Sequence, residues 1–322
     1  MRTKKSILIL GATGGVGGAV AKALLADGWK VRAMVRDVPK AGKSGLEGVD
    51  WVAGDALVRD DVIAAAKDAS VIFHGVNPPG YRNWDKVVLP MIDNTIAAAK
   101  AVGGARIVLP GTVYNFDPAK THRVVSGTRQ DGICRKGRIR IALEKRLRDA
   151  SETVPVLILR AGDFFGPEVR STWFAQAMVK PGRPVRRVTR LAVDVGHSWA
   201  YMPDLAETFA RLLVREEALQ SFDEFVFAGH YDRTGMELIE GIARVSGHDV
   251  KLRAFPWWLM RVLAPLVGFA REVVEIEPYW KNELKLENDR LVAFLGSEPH
   301  TELDSALRET LLWMGNRDDR PF

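Results

Sequence analysis

The chain has 322 residues, of which 47% are hydrophobic and 27% are charged, as is typical of a globular enzyme with one large domain or two closely associated ones. Its net charge of +6 suits small anionic ligands and does not by itself indicate nucleic acid as a partner. The single cysteine, Cys134, excludes an internal disulfide, and we therefore expect a reducing, cytoplasmic compartment.

A glycine-rich turn follows the first apolar run of the chain, residues 7–10 (ILIL). The run predicts a buried strand, and an Ala/Leu-rich helical pattern begins a few residues later. Gly11 permits a sharp turn, Gly14 lets backbone amides approach a pyrophosphate, and Gly17 lets helix and strand pack closely. The helix start adds free N–H groups and a positive dipole end. The residues predicted to bind the pyrophosphate are Gly11, Thr13, Gly14, Gly15, Val16 and Gly17.

One other interpretation of this stretch is a signal peptide. Arg2, Lys4 and Lys5 precede the apolar run, and small residues at 21–23 resemble a cleavage site. Glycines inside the segment weaken a hydrophobic helix, so we favour the nucleotide-binding turn.

Strand and helix patterns alternate along the first half of the chain and predict an α/β fold. Strands are predicted at residues 7–10, 30–36, 50–52, 69–73, 106–109, 154–160, 198–202 and 224–228. Helices are predicted after the glycines and at residues 60–67, 84–102 and 132–150. This alternation indicates a doubly wound parallel sheet of the Rossmann type, with ligands at the carboxyl ends of the strands.

The end of the second predicted strand bears on the choice between NAD and NADP. In NAD-specific folds an acidic residue near this point binds the ribose 2′-hydroxyl, but here Val35 and Arg36 end the strand. An arginine there can bind a 2′-phosphate through charge-assisted hydrogen bonds, so we expect NADP, with NAD less favoured. The alternative is that Arg36 is a solvated surface cation.

The third and fourth predicted strands are followed by further candidates for cofactor binding. Asp55 and Ala56 follow the third strand, where Asp55 can accept a hydrogen bond from the adenine amine. Gly75 and Asn77 follow the fourth strand and are expected along the cofactor. His74, beside them, is more typical of a packed histidine than of a catalyst.

The pattern changes beyond Pro167. Prolines and arginines between residues 181 and 190 indicate an irregular basic lobe, whereas the strand at 224–228 is expected to return to the sheet. We predict a nucleotide-binding domain over residues 1–165, which also receives segments near 198–230, and an interleaved substrate-binding lobe over residues 166–322.

The longest apolar stretch, residues 255–270, is too short to span a bilayer and is interrupted by Arg261 and Pro265. With Trp257 and Trp258 it predicts either helical core or the wall of an apolar pocket.

In order along the chain, these motifs resemble the extended, atypical branch of the short-chain dehydrogenase/reductase superfamily, which includes the NAD-dependent epimerase/dehydratase family. The motifs are the glycine turn, Gly54-Asp55, VIFH at 71–74, Asn94, TVY at 112–114, RAGDFFGP at 160–167 and YMPDLA at 201–206. The resemblance implies a dinucleotide cofactor and a small carbonyl or hydroxyl substrate.

The chain departs from the family where the acid/base residues are expected. Pro110 stands where the resemblance implies Ser or Thr. The next helix should carry Tyr-x-x-x-Lys, but alignment on Glu144 places Lys136 at the Tyr position and Arg140 at the Lys position.

Lys136 and Arg140 are four residues apart and share one helix face. Because adjacent cations disfavour each other's charge, we expect Lys136 to supply a partly neutral amine as a base, or to cradle an anionic substrate with Arg140. The alternative is a solvated basic helix face, since the helix carries other cations: Arg135, Arg138, Lys145, Arg146 and Arg148.

Weaker catalytic candidates lie at the ends of other strands. Thr112 and Tyr114 follow the fifth strand and could replace the missing hydroxyls; Asp163 follows the sixth, and His197 precedes the seventh. His122 and His230 carry no assignment. No spacing of His, Asp or Glu indicates a metal site.

Two functions from different classes stay open: an NADP-dependent oxidoreductase, epimerase or dehydratase-like enzyme, and a catalytically inactive NADP-binding sensor or regulatory protein. The aromatic-rich C-terminal lobe favours the enzyme, and the missing Ser and Tyr favour the sensor. Nucleic-acid binding by residues 132–150 is disfavoured because the charges surround the helix and aromatic residues are missing from it. The resemblance also implies a homodimer through helices 84–102 and 132–150, although facing arginines would repel.

Overall fold

The structure is a computed structural model that describes residues 5–78, 83–192, 194–247 and 249–316. Arg2 and Lys4, on which the signal-peptide interpretation depends, lie outside the described residues. The predicted strands occur within two residues of their expected bounds, and the predicted helices within three.

The strands are β1 Ser6–Leu10, β2 Lys30–Val35, β3 Asp50–Ala53, β4 Val71–His74, β5 Arg106–Gly111, β6 Arg123–Val124, β7 Val156–Arg160, β8 Asp163–Phe165, β9 Arg187–Arg190, β10 His197–Tyr201, β11 Phe222–Val226, β12 His230–Asp232, β13 Lys251–Ala254 and β14 Lys285–Leu286. The helices are α1 Gly15–Ala26, α2 Val38–Ala41, α3 Arg59–Ala65, α4 Trp84–Ala101, α5 Arg135–Ala150, α6 Met202–Val214, α7 Glu237–Ser246, α8 Trp257–Leu263, α9 Gly268–Ile276, α10 Pro278–Lys281, α11 Asp289–Leu295 and α12 Leu303–Trp313. Short 3₁₀ turns lie at Val113–Asn115 and Glu216–Ala218, and one π-helical turn lies at Phe174–Met178.

The chain forms two compact units, each made of several segments. The first contains Met1–Asn115, Arg135–Arg160 and Ala206–Phe225; the second contains Phe116–Cys134, Ala161–Leu205 and Val226–Phe322. Of the first domain predicted over residues 1–165, therefore, residues 116–134 and 161–165 fall in the second unit, and residues 206–225 join the first.

The first unit is built on a seven-stranded parallel sheet in the order β11-β7-β5-β4-β1-β2-β3. This confirms the predicted Rossmann-type fold. Strand β1 lies between β4 and β2, so the strand order reverses there and opens a crevice at the carboxyl ends of β1 and β4. Helices cover both faces, which is why β1 and β7 are continuous apolar runs with buried side chains.

The second unit contains smaller sheets around an aromatic core. Strand β10 pairs in parallel with β8 and antiparallel with β12, while β13 pairs with β9 and β14 with β6. The aromatic side chains buried in this core include Phe165, Phe174, Trp199, Tyr201, Trp257 and Trp280.

The apolar stretch at residues 255–270 is largely exposed. Trp257 and Ala270 are buried, but Trp258, Leu266 and Phe269 face solvent. The prediction that this stretch forms helical core is therefore wrong for most of it, while the alternative of a pocket wall stays a prediction. In the described part of the chain, no helix is long and apolar enough to cross a membrane.

Candidate functional site

The glycine turn holds its backbone too closely for side chains. Gly11 has a φ of +93°, and a Cβ added there would lie 2.6 Å from the Gly75 carbonyl oxygen. A Cβ on Gly17 would lie 2.3 Å from the Gly11 carbonyl oxygen. The Gly75 N–H in turn donates to the Leu10 carbonyl at 2.9 Å. The structure thus brings together Gly11, Gly17 and Gly75 at the crevice between β1 and β4.

Helix α1 begins directly after this turn, with Gly14 as its N-cap, and none of the described side chains caps it. Thr13 and Gly14 are exposed, and Gly15 and Val16 are half-buried. An uncapped helix start beside a glycine turn leaves backbone N–H groups and a positive dipole end for an anion. These residues therefore fit the pyrophosphate of a dinucleotide.

The end of β2 carries one exposed cation. Arg36 follows the strand and is exposed, whereas Arg32 donates from Nε to the Asp50 carboxylate at 2.7 Å. Asp37, the nearest acidic residue, accepts the Lys40 N–H at 3.0 Å as the N-cap of α2. Asp37 thus caps α2 through Oδ1, and Arg36 beside it is an exposed cation of the kind that suits a phosphate.

Asp55 and Ala56 form the turn after β3. Asp55 accepts the Leu57 N–H on Oδ1 at 2.9 Å, so half of its carboxylate shapes the turn. Ala56 is buried, and its carbonyl accepts from Asn94 Nδ2 at 2.9 Å, which gives the motif asparagine a structural role. Asn77 is exposed beyond β4. Each of these positions follows the carboxyl end of a strand, as predicted.

Helix α5 separates its cations between two environments. Lys136 is 0% exposed and Arg140 8% exposed, whereas Arg138, Lys145 and Arg148 are exposed. The interpretation of α5 as a uniformly solvated basic face is therefore wrong for Lys136 and Arg140. The helix has one exposed basic face and a second, buried one.

Arg160 lies at the centre of a buried ion network. Its Nη1 and Nη2 donate to Glu144 Oε1 and Oε2 at 3.1 and 2.7 Å, and its Nε and Nη2 donate to Glu224 Oε1 at 3.1 and 2.8 Å. Nη1 also donates to the Thr112 carbonyl at 2.6 Å. Burial lowers the pKa of Arg160, but the two carboxylates more than offset this effect and the pKa is raised. The guanidinium therefore stays charged.

The sequence reasoning did not identify Glu224 as part of the site. It lies 64 residues beyond Arg160 and meets it because β11 pairs beside β7. The available signal was the two acidic residues, Asp223 and Glu224, in an otherwise apolar strand pattern.

Arg140 is fixed at the end of β5. Its Nη2 donates to the Pro110 carbonyl at 2.7 Å, and its Nε is buried with no hydrogen-bond partner among the described residues. Burial lowers the pKa of Arg140, Arg160 lowers it further, and Glu144 and Tyr114 oppose the shift. Tyr114, which is half-buried, is thus close enough to interact electrostatically with Arg140.

Thr112 stabilises the turn that carries Tyr114. Its hydroxyl accepts the Tyr114 N–H at 3.2 Å and donates to Asn115 Oδ1 at 3.4 Å. The hydroxyl proposed as a substitute for the missing family serine is therefore already engaged in holding a turn.

His74 is packed against α4. Thr95 Oγ1 donates to the Met91 carbonyl at 3.0 Å, so His74 Nδ1, 2.8 Å from that hydroxyl oxygen, must be the donor. His74 Nε2 is buried without a hydrogen-bond partner among the described residues. Burial and the nearby Arg140 lower the pKa of His74 to about 3. This neutral, packed state matches the arrangement that we predicted.

In the second unit the structure joins two catalytic candidates. His197 Nε2 is 2.8 Å from Asp163 Oδ2, and the imidazole stacks on Trp280 with ring centroids 4.1 Å apart. The partners of this pair are 34 residues apart in the chain, so sequence spacing could not predict it.

The two histidines without an assignment have structural contacts. His122 is exposed, with Nδ1 3.2 Å from the Glu283 carbonyl. His230 lies 4.5 Å from His300 between ring centroids, and burial and His300 lower the pKa of His230 to about 4. Among the described residues, no group of three or more His, Cys, Asp or Glu side chains could hold a metal ion.

Comparison with known proteins agrees with this geometry. Residues 11–136 match the family model described as NAD(P)H-binding. This segment is similar to NAD(P)H-binding domains, and the chain has the fold of solved sugar epimerases. The matched segment runs from Gly11 through the glycine turn to Lys136. No curated protein sequence matches the chain.

Several solved structures share the fold along nearly the whole chain. UDP-glucose 4-epimerase from Bifidobacterium longum, in complex with NAD+ and UDP, is 13% identical with a TM-score of 0.73, covering 96% of this chain and 98% of that one. UDP-glucuronic acid 4-epimerase from Bacillus cereus, in complex with UDP-glucuronic acid and NAD, is 15% identical with a TM-score of 0.73 and the same coverage. A nucleoside-diphosphate-sugar epimerase from Pseudomonas aeruginosa is 17% identical with a TM-score of 0.73, covering 97% of both chains. At this identity the likeness establishes the fold alone.

Proposed function

We propose that this protein is an NADP-dependent oxidoreductase of the epimerase/dehydratase type, which acts on a small carbonyl or hydroxyl compound. Lys136 takes the position of the usual acid/base tyrosine. The observation that carries the proposal is the complete burial of Lys136 on the same face of α5 as Arg140. A lysine is rarely fully buried, so Lys136 differs from the solvated cations of α5 and stands at the position of the family's acid/base tyrosine.

The cofactor residues follow from the fold. The amides of Gly15, Val16 and Gly17 would hold the pyrophosphate, whereas the Gly14 N–H donates to the Gly11 carbonyl at 3.0 Å and shapes the turn. Arg36 would hold the 2′-phosphate. Asp55 keeps one carboxylate oxygen clear of its turn hydrogen bond, which suits the adenine amine. Gly75 and Asn77 would line the path of the cofactor beyond β4.

The reaction residues act on the substrate oxygen. When bound, the nicotinamide gives or takes up hydride. The Lys136 amine takes the proton from a substrate hydroxyl, or returns it to a carbonyl oxygen. Arg140, held by the Pro110 carbonyl, stabilises negative charge on that oxygen. Tyr114, which interacts electrostatically with Arg140, would supply a further hydroxyl, whereas Thr112 supports the turn.

The alternative is an NADP-binding sensor without turnover. The specific observation that favours it is also the burial of Lys136, because a side chain with no exposed surface offers none to a substrate. The two functions share coenzyme binding and differ only in catalysis.

The test measures NADPH oxidation by the full chain in the presence of a panel of aldehydes, ketones and nucleotide sugars. Lys136→Met is compared with Lys145→Met, an exposed lysine of the same helix that pairs with Asp149 at 2.6 Å. We expect Lys136→Met to reduce kcat by about 100-fold or more, and Lys145→Met to leave it unchanged.

The outcomes separate the candidates. Saturable NADPH binding with no reduction of any compound would establish the sensor and remove the enzyme. Equal kcat for Lys136→Met and the natural protein would remove Lys136 from the reaction. No binding of either coenzyme would overturn both functions.

We also infer a cytoplasmic homodimer that pairs α4 and α5 across a two-fold axis. Asp93 of α4 pairs with Arg146 of α5 at 2.8 Å, which neutralises one of the cations that would otherwise face its copy. Cys134 is a thiol outside any disulfide, with its Sγ 3.7 Å from the Tyr279 hydroxyl, which suits a reducing compartment. Sedimentation equilibrium would show a dimer that Asp93→Lys weakens; a monomer at all concentrations would contradict the assembly.

A further inference from the structure

The second unit exposes an apolar surface at the helical hairpin formed by α8 and α9. Five side chains make up this surface, which we call the hairpin tip: Trp258, Val262, Leu266, Val267 and Phe269. Their exposed fractions are 66%, 65%, 86%, 42% and 66% in that order. Positions 258, 262 and 266 are four residues apart, and 269 lies in the first turn of α9. The tip therefore exposes large apolar side chains on α8, on the turn that follows it and at the start of α9.

The opposite side of the hairpin is anchored in the core of the second unit. Trp257, Ala270, Val273 and Ile276 are buried, and Trp257 Nε1 donates to the Leu191 carbonyl at 3.3 Å. Both faces of the hairpin are therefore apolar, although folding buries only one. An exposed apolar patch of this kind marks a docking surface.

The charged side chains around the hairpin tip are mainly cationic at the surface. Lys251 and Arg253 are exposed on β13, the strand that leads into α8, and Arg271 is exposed on α9. Arg261, on α8, is also exposed and pairs with Glu277 at 2.6 Å, but the Glu277 side chain is buried beneath it. The two other carboxylates of α9, Glu272 and Glu275, are half-buried. The tip thus combines exposed apolar side chains with a basic rim.

We propose that the hairpin tip docks this protein on the surface of a bilayer that contains anionic phospholipid. Trp, Phe and Leu side chains partition into the interface between headgroups and acyl chains, and Lys and Arg beside them attract anionic headgroups. The tip would enter to about 5–10 Å, as interfacial helices do. Helices α8 and α9 have 7 and 9 residues and are too short to cross the bilayer, so the tip would lie in the surface of the membrane.

A second copy of the chain fits this surface less well. Two copies that met through their tips would bring the exposed cations Lys251, Arg253 and Arg271 of each towards those of the other, and like charges repel. Anionic headgroups neutralise these cations. The cytoplasmic leaflet carries anionic lipid, which agrees with the compartment proposed above. The docking proposal does not depend on coenzyme binding or turnover.

The experiment measures co-sedimentation of the full chain with vesicles of phosphatidylcholine alone and of phosphatidylcholine with phosphatidylglycerol. Val262→Asp is compared with Val214→Asp, because the two valines are 65% and 63% exposed and both lie in helices, but Val214 is remote in sequence from the tip. Leu266→Asp combined with Phe269→Asp is the stronger variant. Circular dichroism and thermal melting check that each variant is folded.

We expect binding to the anionic vesicles that weakens at high salt, and little binding to phosphatidylcholine alone. Val262→Asp should weaken binding by about tenfold or more, and Val214→Asp should leave it unchanged. Equal loss in both variants, or no vesicle binding by the natural protein, would overturn the proposal. A change from dimer to monomer in the folded tip variants, without vesicle binding by the natural protein, would make a second copy the partner instead.

Discussion

Arg160 and Glu144 meet through two parallel hydrogen bonds, at 3.1 and 2.7 Å, with both side chains buried. Glu224 accepts two more from the same guanidinium. Because water cannot replace a lost partner at this depth, removal of Glu144 leaves the two buried cations Arg160 and Arg140 with Glu224 as their remaining counter-charge in this network. The network links β7, α5 and β11, and it therefore stabilises the position of α5, the helix that carries Lys136 and Arg140.

The first prediction concerns this network. Glu144→Gln should lower the free energy of unfolding by about 3–5 kcal/mol, because it removes a charge from a buried pair. Glu207→Gln is the matched control, since Glu207 pairs with Arg211 at 2.8 Å with both side chains about half exposed, and its cost should be about 1 kcal/mol or less. Urea unfolding of both variants provides the measurement. Similar losses for the two would show that burial does not govern the strength of the network.

A methyl group at Gly17 should disrupt the glycine turn. Its Cβ would lie 2.3 Å from the Gly11 carbonyl oxygen, so the backbone must move away, at a cost of about 1–3 kcal/mol or more. Gly268→Ala is the control, because a Cβ there meets nothing within 4 Å. Chemical unfolding measures the stability of Gly17→Ala and Gly268→Ala, and titration with NADPH measures their affinity for the coenzyme. Coenzyme affinity unchanged in Gly17→Ala would show that the turn does not hold the pyrophosphate.

The buried His74 makes stability depend on pH. The folded pKa of about 3 is below the ordinary value of 6.5, so between these values the unfolded chain binds a proton that the folded chain does not. Stability should therefore fall as the pH falls from about 6 to 3, by up to about 1.4 kcal/mol per pH unit, and should be independent of this group above about pH 7.

His74→Asn tests this dependence, because the asparagine amide can still donate to Thr95. We expect a shallower acid limb in a plot of unfolding free energy against pH. The same substitution at the exposed His122 should leave the limb unchanged. A steep limb that survives in His74→Asn would assign the proton uptake to another group.

Arg36 should set the preference for the phosphorylated coenzyme. Arg36→Ala should weaken NADPH binding by about 10–100-fold through loss of a charge-assisted hydrogen bond, and leave NADH binding nearly unchanged. Lys30→Ala is the control, since Lys30 is exposed at the opposite end of the same strand. Fluorescence titration of each variant with NADPH and with NADH measures the two dissociation constants. Equal weakening of NADH and NADPH would contradict a 2′-phosphate contact.

Local patterns predicted the sheet and the glycine turn because the information lies in neighbouring residues. Apolar runs such as residues 7–10 identify strands buried on both faces, and Gly11 and Gly17 stand where a Cβ would clash. The return of residues 222–226 to the sheet was also predicted, from the strand pattern at 224–228.

Burial and long-range pairing were not predictable in this way. The helical pattern of α5 shows which cations share a face, but only the packing of α4 and the Val113–Asn115 turn against it buries Lys136 and Arg140. The pairing of Asp163 with His197 depends on the parallel register of β8 and β10. The apolar residues of α8 and α9 likewise predicted core helices. Tertiary packing decides that one face of this hairpin is buried and the other is exposed to solvent.

The position of β11 at the edge of the sheet also constrains biosynthesis. When a ribosome has released residues 1–165, Arg160 and Glu144 are present, but the second carboxylate and the outermost strand are not. Glu224 follows only when about two-thirds of the chain has been made. Until then the edge of β7 lacks its neighbour, and a nascent chain in that state offers exposed backbone to chaperones or to other strands.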